Sequence, residues 1–330
     1  MINIATSADK KFLPYTYVMF FSVIKQHPDE CIRFFLLHGG LDEEAMQPMM
    51  ELCAGSNNQF VPLVANPDDF KILRQTLASK TRSVSAYFRL QLLDLLPADV
   101  DRILYLDVDI IVNKPLTDFY NRKLDGHLMT ACPDMILFDP IGLEKRLSSW
   151  KEPFSSLLKN GRYFNSGVTL YDVAGMRKKY QENPYFKIFP QYENQIQYPD
   201  QDLLNIVHKD EVLLLDPLQY NCMPYIAFRN MELSYEELKE KAFILHFVGQ
   251  KPWTSGNHIH YPAEKIWWET AFETIYSDEL QMAFLESSLS DRMLEEEVRE
   301  LYRKNSELRE GLAGIKSSLE KIMGAVNQQD

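Results

Sequence analysis

Two aspartates close one of the most apolar stretches of the chain, Arg102-Ile-Leu-Tyr-Leu-Asp-Val-Asp-Ile-Ile-Val112. Residues 103–106 read as a buried strand ending in Asp107-Val108-Asp109, and a second apolar run, 110–112, follows at once. Side chains at i and i+2 of an extended chain lie on one side, so the two carboxylates face the same way. Two like charges left unpaired in apolar surroundings cost on the order of several kcal/mol each. A divalent cation removes that cost. An all-oxygen ligand set suits Mg²⁺ or Mn²⁺, ions that usually also hold phosphate oxygens of a substrate. The chemistry implied is a metal–diphosphate site at the carboxyl end of a strand, the edge at which open α/β sheets bind ligands. The competing reading is a strand end whose aspartates cap a turn.

Other residues carry the same double reading. His246 sits inside the apolar run 242–249, as a satisfied core histidine or as a ligand. Lys251 follows in the turn Gly249-Gln-Lys-Pro-Trp253, exposed to solvent or bound to a diphosphate. Arg89 lies within an apolar periodicity, where it either snorkels or pairs its planar fork with a phosphate or carboxylate. Asp9, just after the first strand, caps the next helix or accepts from a base or ribose. One of Asp200 and Asp202 can serve as a helix cap, but two carboxylates and the amide of Gln201 exceed what a cap needs. The turn Asn165-Ser-Gly167 lets a ligand approach the backbone closely, and Asp134 stands near the end of another strand.

The elements that must position these groups alternate. Strands are predicted at 2–6, 33–38, 59–64, 103–106, 127–132, 163–172, 212–215 and 242–249. Helices are predicted at 15–26, at 42–53 with Asp42 as N-cap, at 85–96 stopped by Pro97, and from 198 onward. Such alternation argues for an α/β fold with a mostly parallel sheet. Residues 139–161, carrying Pro140, Gly142, Pro153 and Gly161, read as a loop-rich insert, and 220–224 as a loop.

The bulk numbers narrow the function classes. A net charge of −12 over 330 residues argues against a nucleic-acid binder and weakly against docking on anionic membranes, but a local cation or a few Lys and Arg still permit a nucleotide ligand. Cys31, Cys53, Cys132 and Cys222 show no CxxC spacing, which fits free thiols in a reducing cytosol. The N-terminus lacks the pattern of a signal peptide, and no run approaches the roughly 20 apolar residues of a membrane span.

From Leu289 the pattern changes. Leu294, Leu301, Leu308, Ile315 and Ile322 recur every seven residues, with Val298, Asn305, Leu312, Leu319 and Val326 as the companion register. This is the a/d seam of a coiled coil, and Asn305 at an a position is the residue type that specifies a two-stranded register. Self-association as a dimer is the expectation; a single helix packed back on the domain is the alternative.

Taken together, six stations in order resemble glycosyltransferase family 8, in particular its bacterial branch of lipopolysaccharide galactosyl- and glucosyltransferases. They are the N-terminal strand with Ala8-Asp9, Ser85-Ala-Tyr-Phe-Arg-Leu90, Leu104-Tyr-Leu-Asp-Val-Asp109, Phe164-Asn-Ser-Gly167, Asp200-Gln-Asp202 and His246-Phe-Val-Gly-Gln-Lys-Pro-Trp253. The resemblance implies a GT-A fold, a Rossmann-like, mixed and mostly parallel sheet flanked by helices, here with a C-terminal helical heptad extension. The division expected is a catalytic domain at 1–265, a helical connector at 266–288 and a C-terminal helix at 289–330.

The resemblance further implies a retaining, metal-dependent enzyme that moves galactose or glucose from a UDP-sugar to a saccharide or other glycoconjugate acceptor. Asp107, Asp109 and His246 match metal ligands, for Mn²⁺ or Mg²⁺. Lys251 matches a diphosphate contact and Asp9 a nucleotide contact. Arg89, Asp134, Asn165, Asp200 and Gln201 match positions around the donor sugar, and Val108, Ser166 and Gly249 belong to the same motifs. Gln201 lies nearest the reacting face; an amide is a poor nucleophile, which favours same-face attack, with Asp200 as the alternative group. The location implied is cytoplasmic, at most peripheral to the inner membrane face.

Thr81, Phe88 and the short loop 248–250 depart from the family pattern, as does a tail that is neither basic nor aromatic. Two rival readings are a catalytically inactive sugar-nucleotide-binding or assembly protein and a phosphohydrolase of the haloacid-dehalogenase type. The second wants Thr or Val where Ile111 stands.

Overall fold

In the computed structural model, structure is described for residues 1–70, 83–249, 251–254 and 262–289, and for residues 300, 303, 308, 311, 312 and 314–316. Thr81, Gln250 and most of the heptad positions lie outside them. One compact unit holds Met1–Pro252 and Ile259–Asp278, and a second holds Trp253–His258 and Glu279–Asp330.

The first unit is built on a seven-stranded sheet. Its strands are β1 (Ile2–Ser7), β2 (Ile32–His38), β3 (Gln59–Val64), β4 (Arg102–Leu106), β6 (Met129–Pro133), β7 (Phe164–Asp172) and β8 (Val212–Leu214). Two further strands, β5 (Ile110–Val112) and β9 (Ile244–His246), pair antiparallel in a sheet of their own. The order in the large sheet is β3-β2-β1-β4-β7-β6-β8. β1 runs parallel to β2 and β4, β2 to β3, and β6 to β8, while β7 is antiparallel to both neighbours. The sheet is mixed and mostly parallel, with hydrophobic cores on both faces.

The order reverses at β1, between β2 and β4. This is the topological switch point at which a crevice opens beyond the carboxyl ends of the strands. β1 delivers Asp9 to that edge and β4 delivers Asp107. The sequence dictates this local course. β1 and β4 are almost wholly buried, as strands covered on both faces must be, and β1 carries the buried polar residues Asn3, Thr6 and Ser7. Each runs into polar, turn-forming residues where the burial ends.

Three predicted elements differ. Residues 85–96 form a 3₁₀-helix, Val84–Gln91, followed by one short α-turn, Leu92–Leu95, instead of one α-helix. The apolar spacing is compatible with either winding. The tighter one accompanies a buried Arg89 that spends its side chain on bonds to Ala86 O, Ser166 O and two carboxylates. Residues 139–161 are not a loop-rich insert: Pro140–Ser149 and Phe154–Lys159 are helices, because Pro140 stands at the first turn of one and Pro153 caps the other, where proline is tolerated. The strand predicted over 242–249 shortens to Ile244–His246. Elsewhere the elements fall within a few residues of expectation, and Asp42 is the N-cap of Glu43–Cys53, accepting from Ala45 N.

Phe88 is buried against Phe70, with ring centroids 5.5 Å apart. A Cβ at Gly39 would stand 2.8 Å from its ring, so Gly39 leaves the room that this large side chain fills.

Candidate active site

Asp107 and Asp109 leave the carboxyl end of β4 through a turn before β5. β9, paired with β5, registers His246 opposite Ile110 and brings the imidazole back to them. His246 Nε2 lies 3.2 Å from Asp109 Oδ1 and 3.6 Å from Asp107 Oδ2. One ligand atom from each of the three residues fits within 4.8 Å of the others. Adjacent ligands of an octahedral ion with bonds of about 2.1 Å stand about 3 Å apart, so the donor set and its spacing fit Mg²⁺ or Mn²⁺. Gly167 completes the cradle. A Cβ on it would lie 2.7 Å from Asp107 Oδ2 and 2.8 Å from His246 Nδ1, against two of the three side chains.

The charges around this cluster are compensated. Lys251 pairs with Asp109 and donates 2.8 Å to Phe247 O. Burial opposes the charge on Asp109, but Lys251 and His246 outweigh it and hold the carboxyl far below its usual range. Arg89 is buried between two carboxylates. Its Nη2 pairs with Asp107, its Nε lies 3.4 Å from Asp200 Oδ2, and its Nη1 donates 2.8 Å to Ser166 O. Its guanidinium also lies 4.2 Å from the centre of the Tyr105 ring. Burial opposes this charge too, yet Asp107 and Asp200 prevail and keep Arg89 a permanent cation. Arg89 therefore joins Asp107 to Asp200 in the first turn of the helix Pro199–His208, and it does so as a fixed brace.

Beside the brace lies a dense amide–carboxylate network. Gln201 Oε1 accepts from Asn165 Nδ2 and Ser166 N, each at 3.1 Å, while its Nε2 donates to Asp134 Oδ2 at 3.3 Å and Tyr163 Oη at 3.1 Å. Asp134 also accepts from Ile136 N and from Arg146 at 2.9 Å. Asp202 serves the helix start: it accepts from Gln197 N and Tyr198 N and from the Tyr163 hydroxyl, the last at 2.5 Å. Burial raises its pKa to about 6, against those hydrogen bonds.

Asp9 caps the 3₁₀ turn Lys10–Phe12 and accepts from Ser83 Oγ at 2.5 Å. Val108 packs partly buried within the aspartate turn, and Gly249 has a left-handed φ of +81° after β9.

The structure thus brings Asp107, Asp109, His246 and Lys251 into one cluster, with Arg89, Asp200, Gln201, Asn165, Ser166 and Asp134 continuous with it. Arg146, Tyr163 and Asn221 were not singled out in the sequence. Arg146 and Tyr163 looked like ordinary surface and strand residues. Asn221 lies in a loop that carried no motif, although an asparagine beside Tyr220 and Cys222 was a polar residue in apolar company.

The mixed sheet and this site are those of a glycosyltransferase of the GT-A fold. The sequence profile of glycosyl transferase family 8 matches residues 3–256, and the chain belongs to that family. It is 26% identical to a lipopolysaccharide 1,2-glucosyltransferase of Escherichia coli K12, over 76% of this chain and 72% of that protein. It is 24% identical to a lipopolysaccharide 1,3-galactosyltransferase of Salmonella typhimurium, over 77% of this chain and 73% of that one. The crystal structure of galactosyltransferase LgtC with donor and acceptor sugar analogues superposes with a TM-score of 0.66 at 26% identity, covering 83% of this chain and 96% of the other. Among the described residues no helix is long and apolar enough to cross a membrane.

Proposed function

We propose that this chain is a retaining, metal-dependent transferase that moves galactose or glucose from a UDP-sugar to a hydroxyl of a saccharide acceptor. A lipopolysaccharide is the acceptor class that its relatives' names favour. The convergence of Asp107, Asp109, His246 and Lys251 on one point carries the reading. Asp107, Asp109 and His246 would hold Mn²⁺ or Mg²⁺, which supplies Lewis-acid stabilisation of a departing diphosphate. Lys251, now on Asp109, adds a second cation that can turn to the diphosphate when UDP binds.

Asp134, Asn165, Asp200 and Gln201 offer acceptors and donors to the several hydroxyls of a hexose. Gln201 is held by its own network: Oε1 accepts from Ser166 N and Asn165 while Nε2 donates to Asp134. An oxygen so engaged is a poor nucleophile. This favours attack by the acceptor hydroxyl from the face the diphosphate leaves, with a diphosphate oxygen taking the proton. Asp200, 3.4 Å from Arg89, would steady positive charge at the anomeric carbon.

UDP release from UDP-galactose and UDP-glucose, with Mn²⁺ and with chelator, is the test. Release should need the metal and disappear in Asp107→Ala. Equal turnover in chelator would sink the metal assignment, and product of inverted anomeric configuration by NMR would sink retention.

A second feature favours self-association of this enzyme. Leu308, Leu312 and Ile315, on helical turns of the C-terminal segment, are 68%, 65% and 59% exposed, and all are heptad positions.

A further inference from the structure

Asn221 is 1% exposed and lies between the two halves of the site. Its Oδ1 is 2.8 Å from His246 Nδ1, and its Nδ2 is 2.9 Å from Asn165 Oδ1. Its backbone is held on both sides: Asn221 N donates to Pro217 O, and the next residue, Cys222, bonds across to Ile244 and His246.

The orientation of every amide in this chain of bonds follows from groups that cannot be turned over. Backbone N–H groups only donate, and an ionised carboxylate only accepts. Ser166 N faces Gln201 Oε1, and Asp134 Oδ2 faces Gln201 Nε2, so the Gln201 amide has one possible orientation. Asn165 must then present Nδ2 to Gln201. Its Oδ1 faces Gly167 N at 2.9 Å, which agrees. An oxygen at Asn165 requires Nδ2 of Asn221 toward it, which leaves Oδ1 of Asn221 toward His246. An oxygen there requires a proton on His246 Nδ1. The lone pair of the neutral imidazole is consequently on Nε2, the nitrogen that faces Asp107 and Asp109.

We infer that Asn221 is a positioning residue that fixes His246 in its Nδ1–H tautomer and transmits the backbone-set orientation of the sugar-side amides to the metal side. The inference rests on the metal-dependent reading above and deepens it. A histidine that ligates through one nitrogen is normally oriented by a hydrogen bond at the other, and such partners are worth about 10–100-fold in metal affinity or activity. Here the partner is an amide with a second obligation. Its Nδ2 holds the oxygen of Asn165, so a change at Asn221 should be felt at both halves of the site.

Two variants separate these obligations. Asn221→Ala removes both bonds. Asn221→Asp keeps an acceptor for His246 Nδ1–H but cannot, as a carboxylate, donate to Asn165. The first measurement is the ¹⁵N tautomer signature of the His246 ring in metal-free protein at about pH 9, where an ordinary imidazole is neutral. The second is Mn²⁺ binding by titration calorimetry without any sugar nucleotide, and the third is turnover of UDP-galactose and UDP-glucose.

Wild-type protein should show a single Nδ1–H form, retained in Asn221→Asp and lost in Asn221→Ala. Mn²⁺ affinity should fall about 10–100-fold in the Ala variant and hold in the Asp variant, while turnover should fall in both. A wild-type Nε2–H tautomer, or an Ala variant that keeps both the Nδ1–H form and Mn²⁺ affinity, overturns the inference. Failure of wild-type protein to bind Mn²⁺ would instead sink the metal assignment, and the tautomer comparison would still decide the role of Asn221.

Discussion

Gly167 meets His246 and Asp107 through an absence: a Cβ placed on it would lie 2.8 Å from His246 Nδ1 and 2.7 Å from Asp107 Oδ2. Its φ is not left-handed, so the constraint is one of space. Gly167→Ala should push His246 or Asp107 out of position. Titration with Mn²⁺ is expected to show binding weakened by at least the 10-fold typical of a displaced ligand partner, with UDP affinity falling alongside. Overpacking should also cost about 1–3 kcal/mol in stability. An alanine variant that binds Mn²⁺ as the parent does would mean that the three side chains do not share one ion.

Arg89 faces two carboxylates and two carbonyls from a buried position. Removing one partner of such a buried arrangement costs about 3–5 kcal/mol, because the remaining charges lose compensation. Arg89→Met should therefore unfold at markedly lower urea. Arg89→Lys should recover only part of the loss, since one ammonium cannot span Asp107, Asp200 and Ser166 O as a planar fork does. A Met variant as stable as the parent would show that the carboxylates are compensated elsewhere.

These two residues also mark what the sequence revealed and what it did not. The aspartate pair was legible because charge at the end of a buried strand is physically costly, and the strands were legible from their apolar runs. His246, Arg89 and Lys251 each had a bland alternative, and only the family resemblance weighted them. Asn221, Arg146 and Tyr163 carry no such signal because their roles are set by partners 12 to 56 positions away, such as Asp134 for Arg146 and Asn165 for Asn221. Spacing within a segment carries no information about such pairings. The helices at 140–149 and 154–159 were missed for a local reason: proline and glycine read as breakers, although proline belongs in a first helical turn.

His208 is fully buried, donating from Nδ1 to Glu211 at 3.1 Å and accepting the Tyr185 hydroxyl at 2.9 Å on Nε2. Burial, aided by Lys179, lowers its pKa from 6.5 to about 3, the Glu211 carboxylate notwithstanding. The unfolded chain then binds a proton that the folded one refuses. Stability attributable to His208 is present above pH 6.5 and is lost as the pH falls toward 3, at up to about 1.4 kcal/mol per pH unit. Asp202, raised to about 6 from 3.8, contributes with opposite sign: its share of stability is present at low pH and is lost as the pH rises toward 6. Urea denaturation of parent and His208→Gln from pH 7 to pH 4 separates the two. The parent should lose stability relative to the variant throughout that range, and parallel curves would refute the assignment.

Leu308, Leu312 and Ile315 occupy i, i+4 and i+7 of helical turns and remain more than half exposed in the single chain. Burying each such side chain is worth about 1.5–3 kcal/mol, and a second copy presenting the same seam can bury them all. Sedimentation equilibrium should find a dimer, and the double substitution Leu308→Glu with Leu312→Glu should shift it to monomer by placing like charges at the seam. Because the substitutions lie far along the chain from Asp107 and His246, UDP release should survive in the monomer. A parent protein that sediments as a monomer at every concentration tested would exclude the seam as a self-association surface and leave the exposed leucines to a different partner.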